Sequence, residues 1–209
     1  MIHRLLSLLI GYVLGCILTA ELVSYGRSHQ SIRTMGSGNP GMTNALRIYG
    51  KKWGLIVLLG DLFKTILACL LAAFLFPLPH QLAILYAGLG TILGHNFPFW
   101  NGFHGGKGVA CTCMALFCFS PLIGLISCAL GLTSCLISQY LAIGGTFIPA
   151  FFLVIAFFIY HQLEITLLCL IIFLLMLGKS AASLKRIFLG SEERGLWLKS
   201  KTTASPKDN

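Results

Sequence analysis

Between Trp53 and Gly178 the chain carries only four charged side chains: Asp61, Lys64, Lys107 and Glu164. The rest of that stretch is a series of apolar runs of helix length, punctuated by glycine, proline and a few polar residues. A soluble domain carries about a quarter charged residues, whereas here they are 10% of 209. A bilayer core of about 30 Å asks for about 20 apolar residues per crossing helix. The pattern therefore implies an all-α, polytopic integral membrane protein.

About seven transmembrane helices fit, roughly at residues 5–25, 53–76, 80–97, 108–119, 122–138, 141–160 and 161–177. Pro77 and Pro79 end the second. Ser120-Pro121 ends the fourth, and the polar residues His161, Gln162 and Glu164 divide the last two. The opening run, 5–20, has the look of a signal peptide, and Val13-Leu14-Gly15-Cys16 resembles a weak lipoprotein cleavage box. With so many spans following, it reads as a retained first span. Residues 1–178 then form the membrane domain and 179–209 a basic tail.

Five of the 15 Lys and Arg lie between Arg27 and Lys52, and seven lie from Lys179 onward. With seven spans, those two segments and Lys107 fall on one side, together 13 of the 15. The positive-inside rule puts that side in the cytoplasm and the N-terminus outside. Basic clusters flanking apolar spans, rather than interleaved with folded polar surface, exclude a nucleic-acid partner and leave membrane lipids as the surroundings. The eight cysteines all fall in apolar runs. The spacing of Cys111 and Cys113 is neither a zinc nor a redox pattern, so they read as small buried hydrophobes. No metal and no cofactor is implied.

The stretch from Gly94 to Ala110, GHNFPFWNGFHGGKGVA, holds the cluster Gly105-Gly106-Lys107-Gly108. Glycines around a lysine permit positive φ and can turn successive N–H groups toward an anion, with the ammonium as a point charge. That chemistry suits phosphate. It is not a nucleotide-binding P-loop, because Asn101 stands at the first glycine position and Gly108 replaces the Ser/Thr after the lysine. Phe97, Pro98, Phe99, Trp100 and Phe103 form an interfacial aromatic belt, or line the way in for an acyl chain. His95 fits a base, a hydrogen-bond donor or a structural residue at a helix end.

The first loop offers a second anion-binding group. Gly38, Asn39, Pro40 and Gly41 make tight turns, while Ser37, Thr43 and Asn44 present hydroxyl and amide groups. Arg47 adds a planar fork that matches phosphate. The alternative is a polar connector with a flanking base. In the second span Asp61 and Lys64, three residues apart, share a helix face and can pair, in a functional or a bracing role; bracing is the expectation here.

These residues have a family resemblance. SGNPGMTNALR from Ser37, GDLFK from Gly60, and GHNFPFW with FHGGKGVA after the third span resemble the bacterial acyl-phosphate:glycerol-3-phosphate acyltransferases of the PlsY type. The resemblance implies an inner-membrane enzyme of phospholipid biosynthesis. It would move a fatty acyl group from acyl phosphate to glycerol 3-phosphate, giving lysophosphatidic acid and phosphate without a cofactor. It implies catalytic roles for Lys107, Ser37 and Arg47. The substrate-binding set it implies is Gly38, Asn39, Gly41, Thr43, Asn44, His95, Gly105, Gly106, Gly108 and Arg186. A third motif of the family has His and Asn one turn apart, then Arg and Gly-x-Glu. Arg186 and Gly190-Ser191-Glu192 match it, while Ser180 and Ser183 stand where the His and Asn are expected. Ser31, where Asp is common, and Thr65, where Gly is common, are lesser departures. A small transporter of phosphorylated metabolites is the competing class, disfavoured by few polar residues near mid-membrane and no visible repeat. A regulatory or scaffold protein is a third.

Overall fold

A computed structural model describes residues 1–192 and Arg194, and every regular element among them is helical. The first apolar run is not a single rod. It forms α1 (Ile2–Gly15) and α2 (Thr19–Ser28), with a break at Cys16, Ile17 and Leu18. The first loop folds a short α3 (Met42–Tyr49) before α4 (Lys51–Leu75). Then follow α5 (His80–Asn96), α6 (Val109–Phe119), α7 (Pro121–Ser138), α8 (Leu141–Tyr160) and α9 (Leu163–Phe188). With α1 and α2 taken as one unit, six helical units among the described residues are long and apolar enough to cross a membrane, and α6 is a seventh, shorter one. Eleven residues of α6 rise only about 16 Å, roughly half the hydrocarbon core. Its start, Gly108, is buried, so the glycine loop before it descends into the bundle. This is a multi-pass integral membrane protein.

In lipid, helices gain nothing from hiding apolar surface against one another, so they associate through close contact of small residues. α1 and α5 show this directly. A Cβ on Gly11 would stand 2.0 Å from Ala87 O, and one on Gly15 2.4 Å from Thr91 O. From the other side, a Cβ on Gly90 would stand 2.1 Å from Leu8 O, and one on Gly94 2.2 Å from Tyr12 O. α5 is the most enclosed of the spans. Its Leu85, Leu89 and Ile92 pack with Leu116 and Phe119 of α6, Phe152 of α8 and Ile172 of α9. Phe63, Phe74, Ile137 and Phe158 stay exposed, where lipid would meet them.

The break in the first span leaves carbonyls without helix partners, which inside a bilayer the protein itself has to satisfy. Lys64 Nζ donates to Gly15 O (3.3 Å) and Ile17 O (2.7 Å), and Trp100 Nε1 donates to Cys16 O (2.8 Å). Lys64 also pairs with Asp61 at 2.8 Å, both side chains about 5% exposed. The pair expected from spacing therefore also closes a broken helix.

Two local results differ from the sequence reading. The loop after the first span contains α3 rather than turns alone. The last helix continues to Phe188, past the expected end near residue 177, so Lys179 to Phe188 is helix and not tail. Lys199, Lys201 and Lys207 lie outside the described residues.

Candidate active site

The first loop is built before it can bind anything. Gly36 and Gly38 take left-handed φ of 57° and 69°, which costs other residues strain. Between them the chain doubles back around Asn44, a buried side chain whose Oδ1 accepts from Ser37 N (2.9 Å) and whose Nδ2 donates to Met35 O (3.1 Å). Asn44 lines the cleft as well, but its amide has a further task that the sequence did not show: it braces the loop and holds Ser37 in place. Ser31 donates to Glu21 Oε1 (2.8 Å) and caps the next turn by accepting from Arg33 N (3.2 Å). An Asp at that position would face the buried Glu21. On α3, Thr43 and Arg47 are one turn apart and share a face. They line a cleft together with Ser37 and Asn39. Arg33 Nη1 donates to Asn101 Oδ1 (2.8 Å), tying this loop to the glycine loop.

The glycine loop forms the opposite wall, but not in the manner its composition suggests. Gly105 N donates to Asn96 O and Gly106 N to His95 O, each at 3.0 Å. Those two amides are therefore turned into the protein, correcting the expectation that they cradle an anion. Gly105 and Gly106 are required for closeness instead: a Cβ on Gly106 would stand 2.2 Å from His95 Nε2. Gly108 is left-handed (φ 78°), and a Cβ there would stand 2.5 Å from Asn96 Oδ1. Among the described residues, the amides of Lys107 and Gly108 have no backbone acceptor. The loop's contribution to the cleft is Lys107 itself.

The third wall is α9. Lys179, Ser183 and Arg186, spaced i, i+4, i+7, place one stripe against the cleft. Lys107 Nζ donates to Ser183 Oγ (2.8 Å), Arg186 Nη2 donates to the same oxygen (3.1 Å), and Arg186 pairs with Glu192. Lys179 donates to Asn96 O (2.9 Å) and lies over the Phe97 ring. Gln139 and Tyr140, between α7 and α8, close the far side. Lys179, Gln139 and Tyr140 are site residues that sequence reasoning missed. The signals were the stripe on α9 and the fact that a fifth crossing returns the chain to the side of the first loop.

The cleft has a volume of about 470 Å³. Arg47, Lys107, Lys179 and Arg186 line it against Glu192 alone among the acids, so its chemistry is that of an anion receptor. Burial pushes the Lys107 ammonium below the usual lysine range, and Arg186 pushes the same way while Glu192 opposes. Lys107, the loop's candidate anion-binding cation, then loses its proton at lower pH than an exposed lysine. The alkaline limb of kcat/KM, which reports free-enzyme groups, should begin below about pH 10.4, the ordinary lysine value. Lys107→Arg should move that limb upward, as a pH profile of both proteins would show.

His95 does not reach this cleft. It is 4% exposed and lies under Gly106. Lys64 Nζ is 3.0 Å from its Nδ1, and an ammonium can only donate, so Nδ1 accepts. Asp61, His95 and Cys111 bring ligand-type atoms within 4.8 Å of one another. The Lys64 ammonium already contacts Asp61 and His95, so a metal ion would have to displace it.

With this geometry in view, the relatives are informative. The sequence profile described as glycerol-3-phosphate acyltransferase matches residues 5–190. The chain belongs to this family. Glycerol-3-phosphate acyltransferase 1 of Lactobacillus acidophilus is 37% identical over 191 residues, 91% of each chain. The like-named protein of Lactobacillus johnsonii is 45% identical over 137 residues, 66% of each. A crystal structure of PlsY (YgiH), an integral membrane glycerol 3-phosphate acyltransferase in its glycerol 3-phosphate form, matches with a TM-score of 0.82 at 28% identity. The match covers 91% of this chain and 94% of that one. Its lysophosphatidic acid form matches with a TM-score of 0.80 at 27% identity, over 93% and 97%. Membership in the glycerol-3-phosphate acyltransferase family agrees with the resemblance carried by the first loop and the glycine loop.

Proposed function

We propose that this chain transfers a fatty acyl group from acyl phosphate to glycerol 3-phosphate, forming lysophosphatidic acid and inorganic phosphate. The cleft faces the cytoplasm of a bacterial inner membrane, with the N-terminus outside. The observation that carries this reading is the convergence of Arg47, Lys107, Lys179 and Arg186 on one cleft from α3, the glycine loop and α9. Two phosphorylated substrates, each bearing negative charge, suit such a receptor.

Acyl phosphate is a mixed anhydride, so phosphate leaves readily and no protein nucleophile is required. The glycerol hydroxyl oxygen bonds to the acyl carbon, the carbon–oxygen bond to phosphate breaks, and phosphate departs with the electron pair. Ser37 and Arg47 hold the glycerol phosphate, and Lys107 with Lys179 holds the acyl phosphate and stabilises the charge that develops on it. Among the described residues the cleft is lined by no histidine, and its one carboxylate, Glu192, is paired with Arg186. A phosphate oxygen of the substrates therefore accepts the hydroxyl proton.

Purified protein given palmitoyl phosphate and labelled glycerol 3-phosphate should produce labelled lysophosphatidic acid. No product, with saturable uptake of the label into proteoliposomes, would replace this reading with transport. Arg47→Lys keeps the charge but loses the fork, and charge-assisted hydrogen bonds are worth about 1.5–3 kcal/mol. It should raise KM for glycerol 3-phosphate roughly tenfold or more with a smaller change in kcat. An unchanged KM would remove Arg47 from that role.

A further inference from the structure

Ser183 is 2% exposed, sits on the cleft stripe of α9, and its Oγ accepts from two cations at once, Lys107 Nζ (2.8 Å) and Arg186 Nη2 (3.1 Å). A hydroxyl offers two acceptor sites and one proton, and neither an ammonium nor a guanidinium can accept. With both acceptor sites occupied, the Ser183 proton has to be donated elsewhere. The two cations belong to different segments, the glycine loop and α9, and in the cleft only Glu192, on Arg186, offsets their mutual repulsion.

We propose that Ser183 is a positioning residue. Its oxygen pins Lys107 against Arg186 so that the two act as one anion receptor, and its proton goes to a phosphoryl oxygen seated between them. This rests on the acyl-transfer reading above and adds to it. Lys107, assigned above to the acyl phosphate, and Arg186 line the same cleft as Arg47, assigned to the glycerol phosphate, so the bridge would set the register of one substrate against the other. The charged and titratable groups around Lys107 are Arg186 and Lys179 of α9, Glu192 beyond it, Arg47 of α3, and Tyr140 across the cleft, with His95 beneath Gly106. Of these, only Arg186 shares the Ser183 oxygen.

The test compares Ser183→Ala with Ser183→Thr, which keeps the oxygen, and with Ser183→Asn, whose carbonyl oxygen also accepts twice. All three are checked for a wild-type melting temperature. Ser183→Ala should lower kcat/KM for glycerol 3-phosphate by roughly tenfold to a hundredfold, the scale of a lost hydrogen bond to a charged group. Its alkaline limb should move to lower pH, because Lys107 loses an acceptor that favours its charged form. At least one of the Thr and Asn variants should restore the limb and come within about threefold of wild-type kcat/KM. Wild-type behaviour of Ser183→Ala, or equal losses in all three folded variants, would overturn the proposal. Glycerol 3-phosphate binding is measured separately by calorimetry. Binding that weakens in Ser183→Ala, in a protein that forms no lysophosphatidic acid, would keep the bridge and overturn the reaction. Normal turnover in Ser183→Ala would keep the reaction and overturn the bridge.

Discussion

Lys107→Ala should lower kcat for acyl transfer at least about 100-fold, or about 3 kcal/mol of transition-state stabilisation, the scale seen when one oxyanion-type donor is removed. The size of the effect follows from the absence of a substitute. A loop with free glycine amides turned into the cleft would soften the loss of its lysine, but Gly105 N and Gly106 N are committed to Asn96 O and His95 O, and Gly108 is buried and does not line the cleft. Lys179 has already given one donor to Asn96 O and lies over Phe97, so it does not swing freely into the vacated position. Fold stability should change little, because Lys107 is only partly buried and its one side-chain hydrogen bond among the described residues is to Ser183. The measurement is steady-state turnover of palmitoyl phosphate by purified wild-type and variant protein, alongside their melting temperatures. Near-normal turnover would sink the assignment of Lys107.

The loop that carries Lys107 shows where sequence reading succeeds and where it stops. Its residue types pointed to anion chemistry, and the structure brings Lys107 to a cleft lined by three further cations. The direction of the amides was not legible. Glycine serves equally for presenting N–H groups and for letting backbone pass within contact of His95 and Asn96, and only the fold separates the two. Membrane crossing was legible from charge deficit and run length. The break at Cys16–Ile17–Leu18 was not, since those residues are as apolar as their neighbours and include neither Gly nor Pro. Its signal lay elsewhere, in an intramembrane Lys64 with more donors than Asp61 can use. α9 was cut short because the basic residues after Gly178 resemble a tail, although Lys179, Ser183 and Arg186 already keep helical spacing. Asn44 was recognised as polar and close to the site, but a polar side chain that binds ligand and one that shapes the loop look alike until its partners are known.

Lys64→Met tests the other polar centre, and its effect should fall on stability rather than chemistry. The substitution preserves length and apolar volume while removing every donor that Lys64 supplies. Asp61 would be left about 4% exposed, with its 3.2 Å bond from Thr19 Oγ1 and the His95 ring at 3.6 Å. Gly15 O and Ile17 O, at the break in the first span, would lose the ammonium that now satisfies them. Removing one partner of a buried ion pair costs about 3–5 kcal/mol, and the orphaned carbonyls add to that in a setting without water. Denaturation of purified protein in detergent micelles should show that loss. The paired variant Asp61→Asn/Lys64→Met separates the two contributions. If the uncompensated carboxylate dominates, neutralising it should recover most of the stability. If the break in the helix dominates, the double variant should remain nearly as unstable as the single one, because neither asparagine nor methionine at these positions supplies the lost donors to Gly15 O and Ile17 O. The geometry favours the second outcome: two of the ammonium's contacts are to backbone carbonyls with no other partner among the described residues, whereas Asp61 keeps Thr19. Wild-type stability of Lys64→Met itself would mean that the break is held by Trp100 and packing alone.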